Sequence, residues 1–320
     1  MKSIICSEAP AKIILFGEHF VVRGKPAIAT AVNLYARVYV KESNRHLFES
    51  KQLGEKVDLD KQSIPERYKQ FQYVYRRVVE LAGKNRGFYI VIDSQIPLAA
   101  GMGSSASTIV AFTHALLKYY GVEPELELVN RIAYDAEKIV HGKPSGIDNT
   151  VATYGGVLYY KQGYMERLDI KWPSDLYLVV IDTGIKRSTG KVVSDVLQLY
   201  KKYSQILSLV YDAAEKLVEI ARIKLLNGDF LSLGELASIN HGLLSAIGVS
   251  IAEVEEAVHL LRKLGALGSK VSGAGRGGIV YGFFRGEPSR ILEGIPTKYK
   301  GYVVKPVREG VRSCRDMYKY

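Results

Sequence analysis

Only two cysteines, Cys6 and Cys314, occur in 320 residues, and they lie near opposite ends of the chain. The count excludes a framework of disulfides and leaves free thiols in a reducing cytoplasm as the simplest reading. No apolar run is long enough to cross a bilayer, because Lys, Arg or Gly interrupts the longest candidates. Residues 1–22 carry Glu8, Lys12, Glu18 and His19 through their apolar stretch. A secretory leader keeps that region uncharged and ends it in small residues, so a cytoplasmic protein is expected. The six histidines lack the spacing of a zinc site. No Gly-Lys-Ser/Thr ending completes a Walker A loop, and Gly103-Ser104-Ser105-Ala106 does not supply the Gly-x-Ser-x-Gly of a hydrolase. Internal repeats and low-complexity tracts are missing too.

What is present describes a folded protein. Hydrophobic residues make up 47% of the chain and charged residues 24%, and the length suits one large domain or two ordinary ones. The net charge of +11 raises the question of nucleic acid. Lys and Arg, however, recur along the whole chain with acids between them, and no aromatic-basic platform motif is found. Neither a nucleic-acid nor a membrane partner is expected. A positive field also steers a polyanion such as ATP toward a cleft.

Periodicity places strands over 13–16, 27–40 and 87–93, and helices over 104–120 and 125–141. Further strands are expected over 157–160, 176–181, 270–272, 279–284 and 302–307. One long helix is expected over 191–227, with others over 231–247 and 251–264. Strands and helices mix without strict βαβ alternation, which favours α+β over a doubly wound sheet. A boundary is expected within 162–173.

Three segments carry candidate chemistry. The first is Pro97-Leu98-Ala99-Ala100-Gly101-Met102-Gly103-Ser104-Ser105-Ala106. Its glycines let the backbone curl close to a ligand, and its serines open a helix whose unpaired N–H groups suit phosphate. An ordinary turn with Ser104 as N-cap is the alternative. The second runs Glu137-Lys138-Ile139-Val140-His141-Gly142-Lys143-Pro144-Ser145-Gly146-Ile147-Asp148-Asn149. It sets a carboxylate on the last turn of a helix and another on a loop. Phosphoryl transfer wants one acid on Mg²⁺ and one on the attacking hydroxyl. A solvated helix face for Glu137 and a turn or N-cap for Asp148 are the competing readings. The third, Gly273-Ala274-Gly275-Arg276-Gly277-Gly278, contains a formal G-x-G-x-x-G, yet a strand follows it and no acid lies about 20 residues on. It reads as a glycine loop between strands, able to approach a ligand.

Taken in order, these segments resemble the galactokinase, homoserine kinase, mevalonate kinase and phosphomevalonate kinase superfamily. Residues 97–106 look like its phosphate loop, with Met102 in place of the usual Leu, and residues 270–278 look like its C-terminal glycine loop. Ala9-Pro10-Ala11-Lys12, Gly17-Glu18-His19, residues 141–149, and Asp182-Thr183 with Arg187-Ser188-Thr189 resemble the mevalonate kinase branch. The chain departs from the pattern at Arg276, where the family's loop usually has glycine.

The resemblance implies an α+β, two-domain GHMP-kinase-like fold, with residues 1–165 binding the ATP phosphates, 166–320 forming the C-terminal domain, and the active site in the cleft between them. It implies transfer of the ATP γ-phosphoryl group to the C5 hydroxyl of mevalonate, in isoprenoid biosynthesis. Asp148 would orient or deprotonate that hydroxyl, with Lys12 beside it. Glu137 and Ser104 or Ser105 would hold Mg²⁺. Pro97, Gly101, Met102, Gly103, Ser104, Ser105 and Ala106 would cradle the phosphates, with Gly273 and Gly275 opposite. Glu18, His19 and Thr189 would join Asp148 around mevalonate. A homodimer is common among such proteins. Another kinase of the superfamily, a decarboxylase relative, a non-catalytic ligand sensor and a nucleic-acid-binding module are the competing functions.

Overall fold

The longest antiparallel pairing in the chain joins β1 (Ile5–Phe16) to β2 (Ala27–Glu42). The computed structural model describes residues 4–141 and 144–315. β1 is buried on both faces, so its polar residues must be paired. Glu8 accepts from Arg37 and Arg312, and Lys12 meets a carboxylate described below. Pro10 cannot donate to a ladder, and the register shifts there, with Pro10 opposite Tyr35 and Ala11 opposite Val32.

The chain continues through β3 (His46–Ser50), β4 (Glu55–Asp58), α1 (Lys69–Ala82), β5 (Phe88–Ser94), α2 (Ser104–Tyr120), α3 (Leu126–His141), α4 (Ile147–Tyr154), β6 (Val157–Lys161) and β7 (Tyr164–Leu168). Then follow β8 (Leu176–Asp182), α5 (Thr189–Lys202), α6 (Ser204–Leu226), α7 (Phe230–Ala246), α8 (Ala252–Lys263), β9 (Gly268–Ser272), β10 (Ile279–Arg285), α9 (Ser289–Glu293), β11 (Lys300–Val304) and β12 (Arg312–Ser313). One sheet has the order β12-β1-β2-β5-β3-β4, with β6 on β2 and β7 on β6, and the other the order β11-β8-β10-β9. Among the described residues, only β3 and β5 pair in parallel. This is the α+β fold expected.

Three apolar clusters explain the layering. One joins the first sheet to α1, α2 and α3, through residues such as Phe71, Val74, Phe88 and Phe112. Another joins the second sheet to α5, α6, α7 and α8. The third lies between the sheets, where Ile13 and Leu15 of β1 share a core with Leu178, Val180, Tyr281 and Phe283. Polar bonds stitch the same seam. Ser272 Oγ accepts from the Ile14 amide at 3.1 Å and donates to its carbonyl at 3.0 Å, and Tyr281 donates to Leu15 O at 2.7 Å.

α2 spans the expected 104–120, but the helix expected over 191–227 is two helices, broken at Tyr203. No Pro or Gly marks that break. α1 was not foreseen, although its buried Phe71, Val74, Tyr75 and Val78 follow helical spacing. The free-thiol expectation is overturned, since Cys6 and Cys314 form a disulfide with Cα atoms 5.4 Å apart. β12 lies beside β1, with Ser7 opposite Ser313, and this register brings the distant ends together.

That disulfide closes nearly the whole chain into one loop, which removes much of the unfolded state's freedom. Cys314→Ser is expected to lower Tm by roughly 3–6 °C, for a loss of about 2–4 kcal/mol. Calorimetry with and without a reductant checks this. A Tm unmoved by substitution and by reduction would show that the β12 pairing alone holds the ends.

Candidate functional site

The centre of the site is a lysine between two acids. Lys12, on β1 and 4% exposed, puts Nζ 3.0 Å from Asp148 Oδ1. Asp148 lies in the first turn of α4, so the loop expected for it is a helix start, made possible by Gly146 in the left-handed region at φ 77°. Glu137, on the last turn of α3, is 5% exposed. Its carboxyl is pushed up to about 8, first by burial and then by the Asp148 carboxylate, while Lys12 pulls it back. At neutral pH the free protein therefore keeps a proton on Glu137.

The phosphate loop lies against this cluster. The Lys12 amide donates to Met102 O at 3.0 Å, tying the loop to β1. At Gly103 a Cβ would press on Lys12 Cγ at 3.0 Å and touch Asp148 Oδ2 at 3.7 Å, and the φ of 75° there suits glycine. Gly103, not Ser104, occupies the N-cap position of α2, in the left-handed region and with no side-chain cap. The amides of Ser104, Ser105 and Ala106 thus open a long buried helix without an intrahelical acceptor. Together with the helix dipole they make an anion site. Ser105 Oγ accepts from Gln70 of α1 at 3.3 Å, and Ser107 Oγ donates to Pro10 O at 2.7 Å.

The second glycine loop meets the first around Arg187. A Cβ on Gly101 would sit 2.6 Å from Arg187 Nη2, and one on Gly278 would overlap the guanidinium. One on Gly273 would lie 3.6 Å from Nη2 and 3.7 Å from Gly101 O. Arg187 Nη1 donates to Ala99 O at 3.3 Å, while Nε is buried with no partner. Burial pulls this guanidinium below its ordinary pKa, with Asp182 opposing. A desolvated cation lacking a close carboxylate is a place for an anionic ligand. Reading the sequence quoted Arg187 within a motif but gave it no role. Its place between a strand end and the start of α5 was the available signal.

The remaining expected residues divide by depth. His19 donates from Nε2 to Ala274 O at 2.8 Å, and burial lowers its pKa, so it is a neutral imidazole bound to the second loop. Glu18 is fully buried in an ion pair with Lys270 of β9. Burial pushes Glu18 up and Lys270 draws it back down. Thr189 is exposed at the start of α5, where Ser188 Oγ caps the helix by accepting from the Lys191 amide. Gly275 lies close under Val249. Pro97 precedes the turn. Arg276 holds the left-handed conformation of a glycine, at φ 52°, and spends its guanidinium on Asp195 and on Gly248 O. Gly142 and Lys143, part of the second motif, lie outside the described residues.

The chain matches the GHMP kinases N terminal domain over residues 69–156 and the GHMP kinases C terminal domain over 221–301. The chain belongs to the GHMP kinases and, within them, to the mevalonate kinase family. It is 37% identical to the mevalonate kinase of Pyrococcus abyssi, over 92% of this chain and 93% of that one. With the mevalonate kinase of Thermococcus sibiricus it shares 38% identity, over 96% and 98%. Its fold superposes on the crystal structure of L. major mevalonate kinase in complex with R-mevalonate with a TM-score of 0.78, at 34% identity and covering 93% and 95% of the two chains.

The charges on Asp148 and Lys12 act in opposite directions on Glu137. Asp148→Asn is expected to lower the Glu137 pKa below about 8, and Lys12→Met to raise it further. A ¹³C NMR pH titration of the ligand-free protein reads both. No movement in either variant would separate Glu137 from the pair.

Proposed function

We propose that this chain is an ATP:mevalonate 5-phosphotransferase, moving the γ-phosphoryl group of ATP to the primary C5 hydroxyl of mevalonate. The observation that carries the proposal is the 3.0 Å Lys12–Asp148 pair resting against Gly103 of the phosphate loop. An acceptor hydroxyl at Asp148 then lies beside phosphates seated on the start of α2. Kinship with mevalonate kinases selects the acceptor.

In the reaction, the C5 oxygen bonds to the γ-phosphorus as the bond from that phosphorus to the bridging oxygen of ADP breaks. The hydroxyl proton passes to the Asp148 carboxylate. Such transfers run through a loose transition state, so positioning and charge neutralisation count for more than a strong base. Lys12 neutralises charge on the transferring group. The amides of 104–106 hold the phosphates, faced by Gly273 and Gly275. Arg187 supplies a cation where the two loops meet. His19 and Thr189 border the acceptor, and Glu18 supports that end of β1 from beneath.

The donors suit Mg²⁺. Glu137 and a serine hydroxyl are hard oxygen ligands, too few for an all-protein cage but enough for an ion that also takes phosphate oxygens and water. The proton on Glu137 makes way when a cation arrives. Ser104 is the better hydroxyl, since Gln70 already engages Ser105. An ion held by Glu137 and Ser104 would supply charge neutralisation for the phosphates of ATP.

We take 1–165 and 166–320 as the two domains, with β7 running across the boundary and β12 returning to the first sheet, and the cytoplasm as the compartment. No helix among the described residues is long and apolar enough to cross a membrane. The disulfide fits a cytoplasmic enzyme of the kind found in hyperthermophilic archaea, whose intracellular proteins keep such bonds.

Two measurements test the reading. ADP release with Mg-ATP should be fast with mevalonate and slow with phosphomevalonate, mevalonate diphosphate, homoserine or galactose. Asp148→Asn should cut kcat by at least about a hundredfold while calorimetry finds ATP binding little changed. Preference for another acceptor would overturn the substrate, and kcat retained in Asp148→Asn would remove Asp148 from the mechanism.

A further inference from the structure

A recess away from the acid pair and the glycine loops has the size of a ligand site. Its volume is about 410 Å³, within the roughly 300–1,000 Å³ of small-molecule pockets. It lies where the β6–β7 hairpin, the connection from β7 to β8, and the segment between β11 and β12 come together. That connection passes from the first sheet to the second. The cavity therefore sits on the seam between the two halves of the chain, a favoured place for such sites.

Its floor is apolar and its mouth is cationic. Val157, Leu168 and Ile170 are buried and form the floor. Trp172 adds a side wall, with its ring held against Phe230 of α7 at 5.1 Å between centroids. Arg167 and Arg308, both exposed, line the mouth. Gly156 makes room for the first of them. Its φ is 73°, and a Cβ there would sit 2.8 Å from Arg167 Nε. Arg167 gives one N–H to Arg308 O and has no ion pair among the described residues, so most of its five donors are free. Arg308 is paired with Asp169. Two guanidiniums against one carboxylate leave the lining one positive charge in surplus.

We propose that this cavity is a second ligand site, built for a small monocarboxylate with an aliphatic or aromatic body. The carboxylate meets Arg167, whose planar fork matches it in shape. The body lies on Trp172, Leu168 and Ile170, where burial of hydrocarbon supplies affinity. One surplus charge suits a monoanion. A phosphate dianion is left half balanced there, and a cation is repelled. The site is separate from the chemistry. Asp148 opens α4 and Gly156 lies just past its end, about 12 Å along the helix. An occupant thus leaves the proposed ATP and mevalonate sites open.

Trp172 is the single tryptophan of the chain, so its emission reports on this cavity. Hexanoate, 1-hexanol and hexylamine are titrated into the full protein, with excitation at wavelengths that tyrosine does not absorb. Hexanoate should give a saturable change and bind about tenfold more tightly than 1-hexanol, with hexylamine weakest. Saturating Mg-ATP and mevalonate should not displace it. Arg167→Met should remove most of the preference for the acid, with kcat unchanged. Val307→Phe narrows the cavity and keeps its charges, so it should weaken acid and alcohol alike. A change that does not saturate, equal binding of the three probes, displacement by mevalonate, or a preference that survives Arg167→Met would each overturn the proposal.

Discussion

Two carboxylates share one lysine beneath the phosphate loop, and the rest of the molecule holds that unequal arrangement in place. Lys12 comes from β1, Glu137 from the end of α3 and Asp148 from the start of α4. Each group is costly to bury alone, and one cation cannot balance two anions. Glu137 is left to hold a proton, with its pKa pushed up to about 8. Folding thus leaves the charge balance of this cluster open, with a carboxyl whose protonation answers to any charge brought beside it.

β1 makes the arrangement rigid. Its middle carries Lys12 and receives the phosphate loop through Met102 O, while its C-terminal end is hydrogen-bonded into the second sheet through Ser272 and Tyr281, and Gly17 just beyond it donates to Asn240 of α7. Both glycine loops are thereby held near this strand, and they meet each other at Arg187. Backbone strain collects there too. His19, Ala99 and Arg276 all adopt positive φ without being glycine, and each belongs to a segment that borders the loops. Such strain persists only where surrounding contacts enforce it, and it gathers where backbone must come close to a ligand.

Depth sorts the polar residues by task. The Glu18–Lys270 pair and the His19–Ala274 bond join the segment after β1 to the second sheet. Arg276 shows how a residue can stand in for a glycine. It takes the glycine's conformation and turns its charge onto Asp195, so the loop keeps its path.

Much of the fold could be read from the chain because its signals are local. Helical spacing placed α2 and α3, turn glycines placed both loops, and acid spacing singled out Glu137 and Asp148 before any coordinates. α1 is equally periodic, through Phe71, Val74, Tyr75 and Val78, so its signal is local as well. Other features have no local signature. The break at Tyr203, the burial of Arg187 between two loops, and the Glu18–Lys270 pair, 252 residues apart, arise only when the sheets stack. The same holds for Cys6 and Cys314, whose count suggested free thiols and whose bond follows from β12 lying beside β1. The sequence by itself determined which segments become helix, strand and phosphate loop, since short-range sterics and side-chain periodicity decide those. Only the tertiary structure decided which charges meet and which stay unpaired, because that depends on sheet register and on the water that packing expels.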